Sequence, residues 1–182
     1  MPIVQSLPWI DPLALAAGID DAHWVFLYSG VQTSYSGRFS IIAIDPAETI
    51  RAEDFTAWAA KLSDNQPRFD NAWLGYLGYG LNDGVEPFAA EPPHWLSLPA
   101  LCMTRFHTLY IFDHEQKKIA LWSDTPEPRR LQPAQMPDFV PPEIIGLASN
   151  MTTADYLGHA AHIIARIQAG DLYQANLTRK FT

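Results

Sequence analysis

Apolar and polar positions change period several times along the chain, and each change marks an element. Asp11 and Pro12 stand where a helix starts, with Asp as N-cap and Pro at the first helical position, and Gly18 closes the short apolar run between them. His23 to Tyr28 is bulky and β-favouring, which predicts a strand. A polar stretch rich in Ser, Thr and Gly follows from Ser29 to Gly37. Arg38 to Ile44 is again strand-like, and Asp45-Pro46 is predicted to end it because proline cannot donate to a sheet ladder. Asp54 is placed to cap a second helix whose Phe55, Trp58, Ala59 and Leu62 fall on one face.

Trp73 to Tyr79 reads as a buried strand with Gly75 and Gly78 inside it. Glycine weakens a strand unless a neighbour must approach closely. The stretch from Gly80 to Ser97 carries prolines and no periodicity, so it reads as a loop. Leu98 to Phe112 and Ile119 to Trp122 predict a long hairpin turned at Asp113 to Lys118. Six prolines without a repeat between Thr125 and Glu143 have linker composition. A third helix is predicted over 153–169: Thr152 and Asp155 match a capping box, Tyr156, Ala160, Ile163, Ile164 and Ile167 form a stripe, and Gly170 sits where a left-handed terminal residue belongs. Alternation from Leu172 to Phe181 predicts a last strand, with Gln174 and Asn176 on one face. The expected organisation is a domain over 1–125, a Pro-rich linker over 126–150 and the start of a second domain over 151–182. Helices and strands do not alternate regularly, so the fold class is α+β, a predominantly antiparallel sheet or sandwich with flanking helices.

Composition narrows the function. Of the 182 residues 48% are hydrophobic, enough for a sizeable core, and the net charge of −8 disfavours nucleic acid or an anionic membrane as partner. The N-terminus has no basic region before its apolar residues, so neither a signal peptide nor a membrane span is expected. The single cysteine, Cys102, lies in an apolar run and is expected as a buried free thiol, which fits a reducing cytoplasm.

Candidate chemistry is sparse. GYLGYG at 75–80 does not have dinucleotide-binding spacing, and no phosphate-cradling loop or nucleophile elbow is present. His159 and His162 share a helix face without a Cys or carboxylate cluster to complete a metal site. Two segments remain. The stretch from Leu27 to Pro46 is a strand, a hydroxyl-rich loop and a second strand carrying Arg38. It reads either as a cradle for a small carboxylate or as a solvated turn with Arg38 in a surface ion pair. The helix and strand that end the chain offer the amides of Gln174 and Asn176 either to a substrate or to solvent.

Four segments in order carry a resemblance: LYSG followed by GRFSIIAIDP, then WLGYLGYGLNDGVEPF, then LPALCMTRFHTLYIFDHEQKKIAL, then NMTTADYLGHAAHIIARIQAGDLYQANLTRKF. Together they resemble the chorismate-using synthases of the anthranilate synthase component I type, over less than half of a complete member. Tyr173, Gln174, Asn176 and Leu177 resemble the aminodeoxychorismate synthase branch; Tyr28, where anthranilate synthases usually carry an acid, departs from the other branch. The resemblance implies the N-terminal part of an enzyme that makes 4-amino-4-deoxychorismate from chorismate and ammonia, for p-aminobenzoate and folate. A glutamine amidotransferase subunit is the implied partner, and magnesium the implied cofactor of the complete enzyme, with none held by this chain. The family's catalytic and magnesium-binding residues fall beyond the matching stretch, so no catalytic residue is expected here. Some members bind tryptophan, and the matching positions are Ser29, Ser36, Gly37, Arg38 and Phe39, half of such a pocket. The anthranilate synthase branch and a stand-alone small-molecule-binding or interaction module remain the alternatives.

Overall fold

The computed structural model describes residues 2–52, 55–63, 72–78, 81, 98–136, 138 and 140–182. The chain has two compact units, Met1–Pro137 and Asp138–Thr182. The class is α+β: among the described residues an open antiparallel sheet of six strands is accompanied by three helices.

The first unit runs β1 (Ile3–Leu7), α1 (Pro12–Ala17), β2 (Val25–Leu27), β3 (Phe39–Ala52), α2 (Thr56–Ser63), β4 (Ala72–Leu77), β5 (Leu101–Asp113) and β6 (Lys118–Ser123). The strand order is β1-β6-β5-β3-β2, with β4 added beside β5. The long β5 therefore has β3 along one edge and shares its other edge between β4 and β6.

Alternation along β3 and β5 divides their side chains between two faces. Ile42, Ile44, Tyr110 and Phe112, with Ile119 and Leu121 of β6, pack under Leu15 of α1. Ala43 and Leu109 form the centre of a second cluster with Phe106, edged by Val25, Ile41, Ile111 and Trp122. Burial of each large aliphatic side chain is worth roughly 1.5–3 kcal/mol, so the α1 face anchors the unit. The start of α1 is as expected, with Asp11 Oδ1 accepting from the amides of Leu13 and Ala14 at 2.8 and 3.4 Å.

Several expectations are corrected. β1 carries no strong sequence signal yet forms the edge beside β6, in register from Ile3 opposite Ser123 to Leu7 opposite Ile119. The strand expected over His23 to Tyr28 is shorter, Val25–Leu27. Asp45-Pro46 does not end β3. The register shifts between Pro46 and Glu48, Asp45 takes φ 60°, and the strand continues to Ala52. A bulge lets the ladder absorb a residue that cannot donate, where a plain strand would stop. β4 is a side strand with exposed Tyr76 and Leu77, not a buried one. Its Gly75 does meet the condition for glycine in a strand: a Cβ there would stand 2.0 Å from the Cys102 carbonyl oxygen. Cys102 is a free thiol but only half-buried, flanked across the ladders by Arg51 and Tyr76. α2 forms, while its expected cap Asp54 and most of the expected loop from Gly80 to Ser97 lie outside the described residues.

The beginning of the Pro-rich stretch is docked. The Tyr110 hydroxyl donates to the Arg129 carbonyl at 2.8 Å and accepts from the Leu131 amide at 2.9 Å. The Ala134 amide donates to the Ala14 carbonyl at 2.9 Å, Arg129 pairs with Asp21, and Leu131 packs on the α1-side core. The side chain of Arg129 also lies 3.5 Å from Asp45, which ties the bulge of β3 to the same strap.

In the second unit α3 (Thr153–Gln168) has the expected capping box, with Thr152 Oγ1 accepting from the Asp155 amide and Asp155 accepting from the Thr152 amide, both at 3.1 Å. Gly170 follows at φ 83°. No residue of α3 is buried, and Ile164 of the expected stripe is 55% exposed. The strand expected from Leu172 to Phe181 is extended chain with one isolated bridge, Ser149 to Phe181. A strand exists only through its ladder, and among the described residues only the segment around 148–150 pairs with this one. Tyr173 is accordingly 97% exposed, and Gln174 and Asn176 are exposed too.

Candidate functional site

The hydroxyl-rich segment between β2 and β3 folds into a loop closed on itself. The Thr33 amide donates to the Ser36 carbonyl at 2.9 Å, and Thr33 Oγ1 accepts from the Ser36 amide at 3.0 Å and meets Ser36 Oγ at 2.8 Å. Short hydroxyl side chains favour this kind of local closure. Gln32 donates from Nε2 to the Ser29 carbonyl at 2.8 Å. Gly37 lets the chain re-enter the sheet: its φ is +85°, and a Cβ there would stand 2.1 Å from the Val31 carbonyl oxygen.

Both stems of the loop are tied down. Ser29 donates from Oγ to the Phe39 carbonyl at 2.7 Å and from its amide to Ser40 Oγ at 3.0 Å. The amide of His114, in the β5–β6 turn, donates to the Arg38 carbonyl at 2.9 Å. The turn itself is built on Asp113, whose Oδ1 accepts from the amides of Glu115 and Gln116 at 3.0 and 2.9 Å. The register that pairs Phe39 with Asp113 brings this turn beside the loop. Between them lies a cavity of about 570 Å3, lined by Gln32 to Ser36, Arg38, His114 and Glu115. A second cavity, of about 500 Å3, lies at the β3 bulge between Trp24 and Phe106 and contains none of the sequence-predicted site residues.

Arg38 is central to the first cavity. Its Nη2 and Nε donate to Asp113 Oδ2 at 2.7 and 3.1 Å, and Nε lies 3.3 Å from Glu115 Oε2. The guanidinium also sits 4.9 Å from the centroid of the Phe39 ring. The hydrogen bond from Arg38 is the main cause that holds the Asp113 carboxyl below the ordinary carboxylate range, and the same bond raises Arg38. One guanidinium thus faces two carboxylates. A bound carboxylate would have to share Arg38 with Asp113 and Glu115, whereas an ammonium group finds Glu115 at the rim, with hydroxyls beside it.

The five sequence-predicted residues are therefore gathered at one end of the sheet. Ser36 and Arg38 line the cavity, Gly37 shapes it, and Ser29 and Phe39 hold its stem. His114 and Glu115 were legible only as turn residues. The signal that places them at the site is the hairpin register, which a single strand's pattern does not carry. Among the described residues no three His, Cys, Asp or Glu side chains converge. No helix among them is long and apolar enough to cross a membrane.

An open antiparallel sheet with helices beside it, and a polar loop cavity at one end of the sheet, make this an α+β protein. The family model described as chorismate binding enzyme matches residues 20–182, and the chain belongs to that family. It is 25% identical over 213 residues to aminodeoxychorismate synthase component 1 of Salmonella typhimurium, covering 99% of this chain and 47% of that protein. It is 26% identical over 214 residues to aminodeoxychorismate synthase component 1 of Klebsiella aerogenes, covering 100% of this chain and 48% of that protein. The chain spans about half the length of the curated relatives it matches.

Proposed function

We propose that this chain is the N-terminal, non-catalytic part of an aminodeoxychorismate synthase component I. Its complete enzyme would convert chorismate and ammonia to 4-amino-4-deoxychorismate, on the route to p-aminobenzoate and folate. The observation that carries the reading is the match of essentially the whole chain to two such synthases over just under half of their length. The name component 1 of these relatives speaks of a second component, and a glutamine amidotransferase that delivers ammonia is the partner proposed here.

The loop cavity is the part of the molecule that contacts a small ligand in this reading. Its hydroxyls, Arg38 and Glu115 suit a free amino acid, with tryptophan the ligand that the family resemblance points to. Phe39, half exposed beside Arg38, supplies an apolar face at the loop stem. Much of a ligand in this half-pocket stays wet, so affinity in the isolated chain is weak.

Incubation of the purified 182-residue chain with chorismate and ammonium tests the first part. No aminodeoxychorismate is expected above a no-protein control, and its appearance would sink the non-catalytic reading. Mixing the chain with a separately produced C-terminal half of the Salmonella relative is expected to restore product. For the pocket, calorimetric titration with L-tryptophan should show weak binding that Arg38→Ala and Ser29→Ala lower further. Tight binding, or indifference to both substitutions, rejects the assigned half-site.

A further inference from the structure

Ser40 is completely buried at the start of β3, yet its hydroxyl serves two other segments. The Ser29 amide donates to Ser40 Oγ at 3.0 Å, and His114 Nε2 lies 2.7 Å from the same oxygen. An amide can only donate. The one hydrogen of the Ser40 hydroxyl is therefore best used toward His114, which makes Nε2 the acceptor and puts the imidazole proton on Nδ1, an assignment that rests on the network. Trp9 packs against the imidazole with ring centroids 5.4 Å apart at 69°, and Lys117 lies 4.5 Å over the Trp9 ring.

We propose that His114 is the positioning residue of the cavity: through Ser40 it fixes the Ser29 stem of the loop, and through its own amide it fixes the Arg38 stem. The two stems are the two ends of the segment that forms one wall, and His114 itself lines the opposite wall. One residue of the hairpin turn thus sets the width of the cavity. Loss of its side chain leaves the buried Ser40 hydroxyl without its acceptor, and the hydroxyl then turns elsewhere, weakening its hold on the Ser29 amide. Gln at position 114 carries a carbonyl oxygen the same number of bonds from the backbone as Nε2, so it can replace the acceptor, whereas Leu fills similar space without one. The assignment of a ligand to this cavity rests on the function proposed above; the positioning role does not.

Amide exchange and imidazole nitrogen shifts, measured by NMR on the 182-residue chain, test the proposal. Exchange at Ser29 should rise roughly fivefold or more in His114→Leu and in Ser40→Ala, the effect of about one hydrogen bond. His114→Gln should return it to within about twofold of the parent. In the neutral imidazole of the parent chain the Nε2 signal should be that of an unprotonated, hydrogen-bond-accepting nitrogen. Parent-like exchange at Ser29 in His114→Leu, or a proton on Nε2 in the neutral imidazole, overturns the proposal. Should His114→Leu not fold, Ser40→Ala and the parent imidazole signal decide it. L-Tryptophan serves as the ligand probe. Absence of binding by the parent, with the exchange results as expected, refutes the ligand reading and supports the positioning role.

Discussion

Replacing Tyr110 with phenylalanine removes one oxygen and breaks both hydrogen bonds that this central residue of the sheet makes to the strap following β6. Tyr110 is 1% exposed, and its hydroxyl holds both the Arg129 carbonyl and the Leu131 amide. Each hydrogen bond contributes about 0.5–1.5 kcal/mol net, and a polar group left unpaired and buried costs about 1–3 kcal/mol. Because the strap lies at the surface, water can reach part of what is exposed, so the expected loss is about 1.5–3 kcal/mol. The strap stays attached, since the Ala134 amide still reaches Ala14 and Arg129 still pairs with Asp21. Urea unfolding followed by tryptophan fluorescence should show a lower midpoint with an unchanged slope, and the Leu131 amide should lose protection. Burial raises the Tyr110 hydroxyl above its ordinary value, opposed most by its bond from the Leu131 amide. The neutral form is thus the one the fold stabilises. This contribution is fully present below the ordinary tyrosine range near pH ~10 and is lost as pH rises through the higher folded value. Tyr110→Phe should lack that alkaline loss. A destabilisation under about 0.5 kcal/mol with Leu131 protection intact would refute the reasoning, because it would mean the strap is held without the hydroxyl.

Three further outcomes are expected. Gly37→Ala should cost at least about 1–2 kcal/mol from its left-handed backbone alone and disorder the loop through the clash with Val31; thermal melting and loss of the Thr33–Ser36 amide protection check it. Thr152→Ala should cost about 1 kcal/mol of helix stability and fray the first turn of α3, read as faster exchange at Asp155 and Tyr156. The Asp113 carboxyl is held below its ordinary value, first by Arg38 and then by the Gln116 amide, so its contribution is present above pH ~4 and is lost as pH falls through the lower folded value. Acid titration of the melting temperature should therefore be flatter in Asp113→Asn than in the parent, and equal slopes would remove Asp113 as the cause.

The parts of this molecule that the sequence determined by itself are those whose signals are local. The Asp11-Pro12 start of α1 and the Thr152–Asp155 box of α3 depend on residues within one turn of each other, and both appear as read. The β5–β6 hairpin is equally local, since a short turn joins two apolar runs. The composition of the loop from Ser29 to Gly37 left two readings open, a carboxylate cradle and a solvated turn with Arg38 in a surface ion pair; the local closure it favours is present, and so is the ion pair, to Asp113. What needed the tertiary structure is whatever a partner decides. β1 is a strand because β6 lies beside it, and the segment from Leu172 to Phe181, with a better strand pattern, gains only one bridge because no ladder meets the rest of it among the described residues. Pro46 ends a strand on paper and bends one in the fold, since β5 continues alongside and the bulge restores pairing beyond it. The prolines after Thr125 have linker composition, yet Tyr110 and the core under α1 take hold of Arg129 and Leu131. Arg38 meets Asp113, and His114 meets Ser40, across more than seventy residues only because one register of β3 on β5 sets them side by side. Propensity acts within a few residues, whereas pairing and burial act across the whole chain; the elements belong to the first and the cavity to the second.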